Sequence, residues 1–260
     1  MIPFTKSKQL IVDGRDTKTT KGAKLNVVTG IMYLAPADIS SFQVCPKASA
    51  GCKAACLYTS GHGRFNNVQQ GRINKTLWFF QERPTFMAKI VTDVARIERK
   101  AKRLGKVPAI RLNGTSDIAW EKFKVVKDGI EYKNIMLAYP DVQFYDYTKI
   151  IGRKSAIALP NYHLTFSLAE DNDDDALKAI EQGYNVAVVL NIKPTENKPN
   201  SWGGYPVIDG DDTDVRFNDP KGGHIIALSA KGDARKDTSG FVRTLNGGFN
   251  VKPMLELNIA

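Results

Sequence analysis

The chain has 260 residues, 42% of them hydrophobic, which is enough for one substantial core and excludes the disordered, collagen-like and small disulfide-stapled classes. Its formal net charge of +10 is lopsided, because residues 1–110 carry 19 Lys/Arg against 6 Asp/Glu and residues 111–260 carry 18 against 21. No run approaches the about 18 apolar residues of a membrane helix, and Met1-Ile-Pro-Phe-Thr-Lys-Ser-Lys lacks the apolar stretch of an export signal. A cytoplasmic chain with reduced thiols and no membrane partner is therefore expected.

A single domain over residues 1–260 is expected, opening on a Lys/Thr-rich arm or short hairpin at residues 1–25. Asn26 to Leu34 reads as a strand. Directly after it come all three cysteines, in Cys45-Pro-Lys-Ala-Ser-Ala-Gly-Cys52-Lys-Ala-Ala-Cys56. An odd count with polar residues between them fits neither a disulfide framework nor an apolar core segment. Three thiolates on one short loop can hold three corners of an iron-sulfur cube or three positions of a zinc tetrahedron, since both centres favour sulfur. Asn66 to Gln81 has helical spacing through Val68, Ile73, Leu77 and Phe80. Pro84 suits the first turn of a second helix, with a stripe Phe86, Ile90, Val91, Val94, Ile97, Ala101, Leu104 that ends at Gly105. Arg96, Arg99, Lys100, Lys102, Arg103 and Lys106 fit that helix's outer side. They are read either as a solvated face or as a field for nucleic acid or an acidic electron-donor protein.

After Pro108 short strands alternate with connecting segments: Ala109-Ile-Arg-Leu, a helix around Trp120, Val142-Gln-Phe-Tyr, Tyr162-His-Leu-Thr-Phe, a helix from Asp174 to Gln182, Asn185 to Ile192, and Ile225 to Leu228. This alternation predicts an α/β fold with a partial or complete parallel (β/α) barrel, the cysteine loop following its first strand. Residues 193–223, rich in Asn, Pro and Gly, read as an irregular excursion. Parallel barrels gather their chemistry at the C-terminal ends of the strands. Those positions hold Asn113, Ser116 and Asp117, then Asp146, Thr148 and Lys149, then Ser167 and Glu170, then Asn191, and finally Ser229 and Lys231. The first seven through Ser167 are the candidate ligand-binding residues, although Ser, Asp and Asn in such loops also cap helices. Lys149 is positioned to pair with Asp146 or to bind an anionic ligand group.

The segments CPKASAGCKAACL, GRINKT, RLNGTSDIAWE, FYDYTK and HLTFS resemble a family of phage-encoded proteins labelled by gene product eighty-eight, with no assigned function. The resemblance implies a setting in the host cytoplasm. More distantly, the layout resembles radical S-adenosylmethionine enzymes, in which a cysteine loop after the first strand of a partial barrel binds a four-iron four-sulfur cluster. By that resemblance Cys45, Cys52 and Cys56 are the metal ligands. The fourth iron would be open to a small molecule and the chemistry would be redox or radical in type. This loop reads C-x6-C-x3-C, wider than the superfamily's C-x3-C-x2-C, and Gly114 stands singly where a glycine-glycine-acidic motif would bind the methionyl amine. S-adenosylmethionine is therefore an expectation without a motif.

The competing reading is a Cys3His zinc site closed by His62 in Ser60-Gly-His-Gly, serving a nucleic-acid-binding protein without turnover, with Phe65, Trp78 and Phe79 available for stacking. His163 and His224 are read as structural. The acidic runs Asp171–Asp175 and Asp209–Asp214 lack the glycine and glutamate of a calcium loop, and no Walker, GxGxxG or GxSxG motif is present.

Overall fold

A computed structural model describes residues 2–14 and 25–250, so residues 15–24 of the expected arm lie outside the described residues. The strands are β1 (Ile11–Asp13), β2 (Val27–Met32), β3 (Val107–Arg111), β4 (Val125–Lys127), β5 (Ile130–Tyr132), β6 (Gln143–Thr148), β7 (Tyr162–Ser167), β8 (Val186–Leu190), β9 (Ser201–Trp202), β10 (Tyr205–Asp209) and β11 (Ile225–Ser229). Nine of them form one sheet in the order β1-β2-β3-β6-β7-β8-β11-β10-β9. From β2 to β11 all neighbours are parallel and follow in chain order. β10 adds a further parallel strand, and β1 and β9 flank the sheet antiparallel.

Parallel neighbours taken in chain order, each joined by a right-handed crossover, put their connections on one face. The core obeys this. Val28, Met32, Ile110, Phe144, Leu164, Phe166, Val186 and Val188 pack with Ile90, Val94 and Ile97 of one helix and with Ala176 and Ala179 of another. Residues of opposite parity, Val27, Ala109 and Tyr145, meet Val215 on the other face. Among the described residues no pairing joins β1 to β9, so the sheet is open and the expectation of a complete barrel is corrected.

The helices Asn66–Gln81 and Arg83–Arg103 lie where the spacing predicts, with Pro84 in the first turn of the second and Gly105 at φ +62° just past its end. The first helix, however, buries only part of the expected stripe. Leu77 is buried together with Arg72, Thr76, Trp78 and Phe79, while Val68, Ile73 and Phe80 are only partly covered. The expected helix around Trp120 is a single 3-10 turn, Trp120–Lys122. It leads into the β4–β5 hairpin, whose Asp128-Gly129 turn takes positive φ at both residues. The excursion at residues 193–223 is likewise not wholly irregular, since it supplies β9 and β10.

One buried carboxylate fastens the edge strand. Asp93, 1% exposed, accepts from the backbone N–H groups of Leu10 at 2.6 Å and Ile11 at 3.1 Å and from Lys89 Nζ at 2.8 Å. Arg96 and Lys100 bind Asp13 at the far end of β1, so two of the expected outward-facing cations serve the fold. Asp93→Ala strands two buried N–H donors and is expected to cost about 2–4 kcal/mol, against under about 1 kcal/mol for Lys89→Ala, whose partner keeps two other donors. Urea denaturation midpoints of the two variants check the ranking. Equal losses would show that Asp93 acts only through Lys89.

Candidate functional site

Alternation along each strand decides what faces the uncovered side of the sheet. Arg111 of β3, Tyr147 of β6, Ser167 of β7, Ala187 and Val189 of β8 and Leu228 of β11 all line one cavity of about 1210 Å³. Its rim is made by the loops at the C-terminal ends of the strands. Such a volume accommodates a ligand at or above ordinary drug size.

Cys45, Cys52 and Cys56 are free thiols of intermediate exposure on this cavity. The loop that carries them is shaped locally. Ser49 caps the short helix Ala50–Ala54 by accepting from the Cys52 N–H at 3.1 Å. Glu170, beyond β7, then clamps the same turn, accepting from Ser49 Oγ at 2.7 Å and from the Gly51 N–H at 2.6 Å. A Cβ on Gly51 would stand 2.1 Å from Ser239 Oγ and 2.8 Å from the Glu170 carboxyl, so a larger residue would have to push both side chains aside. The Ala37 N–H donates to Cys45 Sγ at 3.3 Å.

Burial pushes the Cys45 thiol up to about 12, against the pull of the Ala37 N–H and with further opposition from Cys56, Asp117 and Cys52. Burial also raises Cys56, while the Tyr58 N–H, Arg72 and Lys149 pull it down. Thiols that oppose one another's ionisation are ionised together when a cation binds them, so the donor chemistry fits a metal centre. Their placement is looser than a finished site: among the described residues no group of three or more His, Cys, Asp or Glu is arranged to hold a metal ion. His62 lies on the same cavity, exposed, in a 3-10 turn between Gly61 and Gly63.

Of the seven expected ligand-binding residues, Asn113, Ser116, Asp117, Thr148, Lys149 and Ser167 line this cavity with the cysteines. Asp146 does not. It is 1% exposed on the helix-covered side, where it accepts from the Asn113 N–H at 2.7 Å, Asn113 Nδ2 at 3.2 Å and the Tyr162 hydroxyl at 2.9 Å. The Asn113 side-chain oxygen Oδ1 in turn accepts from Ser116 Oγ, the Ile118 N–H and Trp120 Nε1, so Asn113 and Ser116 are committed to the rim. Lys149 pairs with Ser167 Oγ at 2.8 Å and not with Asp146, and it lies 5.7 Å from the Phe241 ring centroid. Asp117 accepts from the Lys149 N–H at 2.8 Å, with Arg153 at 3.7 Å from its second oxygen. Burial raises its pKa, against the pull of the Lys149 N–H, Thr148 and Arg153. Glu170 acts as the clamp described above, while Ser229 and Lys231 lie on the cavity.

Sequence reasoning missed Arg111, which is fixed on the cavity floor by Asp214 at 3.0 and 3.1 Å and by the Tyr147 ring at 4.5 Å. It also missed Arg72 and Lys75, both on the wall. Their only signal was GRINKT, where two cations stand on a helix otherwise read for its apolar stripe. The acidic run at 209–214 has structural duties: Asp211 binds Lys231 at 2.6 Å and Lys198 at 3.1 Å, and Asp214 binds Arg111. Among the described residues no helix is long and apolar enough to cross a membrane.

The family model described as Gene product 88 matches residues 6–245. No curated protein and no solved structure matches the chain.

The rim network generates a pH test. Burial pushes the pKa of Asp146 up to about 7, against the pull of the Asn113 N–H, Arg111, Tyr162 and Arg153. Between about pH 4 and pH 7 the folded chain thus holds a proton that the unfolded chain has released, so this residue's contribution to stability falls as pH rises. Asp146→Asn imitates the protonated acid and should flatten that part of the profile. Thermal midpoints of wild type and variant between about pH 4.5 and 7.5 should converge at the acid end and separate toward neutrality, the variant being the more stable. Parallel profiles would show that Asp146 is ionised throughout.

Proposed function

The chain belongs to the Gene product 88 family, and for it we propose an iron-sulfur protein whose Cys45, Cys52 and Cys56 hold one four-iron four-sulfur cluster beside a ligand cavity. What carries this reading is that the three thiols of one loop share a single large cavity with Asp117, Lys149 and Ser167, all at the C-terminal ends of parallel strands. In the same reading the open sheet is a partial barrel and the cavity is its interior. A bound cluster would supply one-electron redox chemistry. The residues of the chain would do the rest: Lys149 and Ser167 position a polar ligand group, and Tyr147, Val189 and Leu228 exclude water from the cavity wall.

Three cysteines leave the fourth iron to an exchangeable ligand, and S-adenosylmethionine is one candidate. Gly114 gives it no particular support, since a Cβ there would stand 2.6 Å from the Met32 carbonyl oxygen, and packing alone explains the glycine. The zinc reading keeps one observation in its favour, the presence of His62 on the same cavity.

Protein purified without oxygen should be brown, with iron and acid-labile sulfide near about four of each per chain, and Cys52→Ala should lose both. Colourless protein with one zinc and no sulfide would overturn the proposal in favour of the Cys3His site. Full iron and sulfide in Cys52→Ala would overturn the ligand assignment.

A further inference from the structure

Five arginines are buried among the described residues: Arg72, Arg111, Arg153, Arg216 and Arg243. Four of them face a carboxylate, respectively Asp214 for Arg111, Glu121 for Arg153, Asp219 for Arg216 and Asp173 for Arg243. Arg72 faces none among the described residues. It is 8% exposed, its Nε and Nη1 have no hydrogen-bond partner among them, and it lies on the cavity wall. Its guanidinium is instead flanked by the rings of Tyr33 at 5.0 Å and Tyr58 at 5.4 Å, which hold it in place without neutralising it. Gly63 lets the fork sit there, since a Cβ on that residue would come 3.2 Å from Nη1 and 2.3 Å from the Tyr58 carbonyl oxygen.

One turn along the same helix stands Lys75, also on the cavity, its Nζ donating to the Leu10 carbonyl at 3.1 Å. Burial, together with the neighbouring Arg72, pushes its pKa down to about 8. Two cations are thus held side by side in a partly dry wall, an arrangement that costs the free protein stability unless an anion completes it.

We infer that Arg72, with Lys75 beside it, is an oxyanion-binding subsite that takes the carboxylate or phosphate of a small anionic ligand lying in the cavity beside the cysteine loop. The guanidinium fork matches either group in bidentate fashion, and the two tyrosine rings fix the plane in which it is offered. The inference rests on the cavity being a ligand site, as proposed above, but not on the presence of a cluster.

The test uses the full chain and two probes, inorganic phosphate and succinate, each titrated against sodium chloride at matched ionic strength while the thermal midpoint is followed. At least one probe should raise the midpoint of wild type above the chloride control, and which one does so distinguishes the two oxyanions. Arg72→Gln should weaken the apparent affinity by about tenfold to a hundredfold, the range for a lost charge-assisted contact. Lys75→Gln, whose side chain is only partly buried, supplies the same comparison if Arg72→Gln folds poorly, with a smaller loss expected. Iron and sulfide content should be unchanged in both variants, which separates this subsite from the cluster proposal. Stabilisation by neither probe, or equal stabilisation of wild type and both variants, would overturn the inference. So would loss of iron in Arg72→Gln without any effect of the probes, because Arg72 would then be a counter-charge to the thiolates alone.

Discussion

Six parallel strands laid down in chain order have one consequence on which the rest of the molecule depends: their connections cover a single face. The other face must then be finished by something besides helices. In this chain it is finished partly by Val215 and Phe217 packing on Val27, Ala109 and Tyr145, and partly by polar side chains around an open volume. Arg111 shows the cost of that solution. A guanidinium on the inner face is tolerable only because Asp214, carried on the segment after β10, accepts from its Nη1 with both carboxylate oxygens while Tyr147 covers its face. The acidic run that resembles a broken calcium loop is thus part of the cavity floor.

The rim is rigid for a different reason. Asn113 receives three donors on its side-chain oxygen and gives both its N–H and its amide to Asp146. Asp146 also takes Tyr162, and Tyr162 contacts Arg153, which is paired with Glu121. A buried network in which nearly every polar atom has a partner specifies one arrangement, because any slip leaves a group unsatisfied. It ties the segment after β3 to the interior of β6 and the first residue of β7, while the Asp117 to Lys149 bond joins the loops above them.

Much of this was legible in the sequence, and the reasons differ from residue to residue. The long helix Arg83–Arg103 was readable because its stripe, its proline and its terminal glycine all agree. The clustering of Ser116, Asp117, Thr148, Lys149 and Ser167 with the cysteines was readable because strand order alone brings such positions to one end. Asp146 misled for a reason of parity. It is two residues from Thr148 but inside the strand, where its side chain turns beneath the helices, whereas Thr148 stands at the end and still reaches the rim. Arg72 was hidden because hydrophobic spacing on Asn66–Gln81 selects Val68, Ile73, Leu77 and Phe80, yet Val68 faces the cavity together with Gly71, Arg72 and Lys75. The β4–β5 turn carried a readable Asp128-Gly129 signal between short apolar pairs that were too brief to register as strands.

The cysteine loop, which follows β2, reaches the segments that follow β7 and β11, two strands that do not pair with β2. On one side Glu170 holds Ser49 and Gly51, and Ser239 crowds the same glycine. On the other, Thr59 Oγ1 donates to Asp233 Oδ2 at 2.6 Å, and Gly232, at φ +57°, lies so near Ser60 that a Cβ would come within 2.2 Å of its hydroxyl. The segment that carries Ser239 is itself pinned by Arg243, which binds the Ala169 carbonyl and Asp173, each at 2.7 Å. The first of these junctions is partly buried, whereas the Thr59 to Asp233 bond is exposed and competes with water. At that second junction Ala55, next to Cys56, packs against Ala230 and Ala234 with Phe241 and Val242 around them, so apolar burial and not the exposed hydrogen bond holds the cysteine loop to the segment after β11.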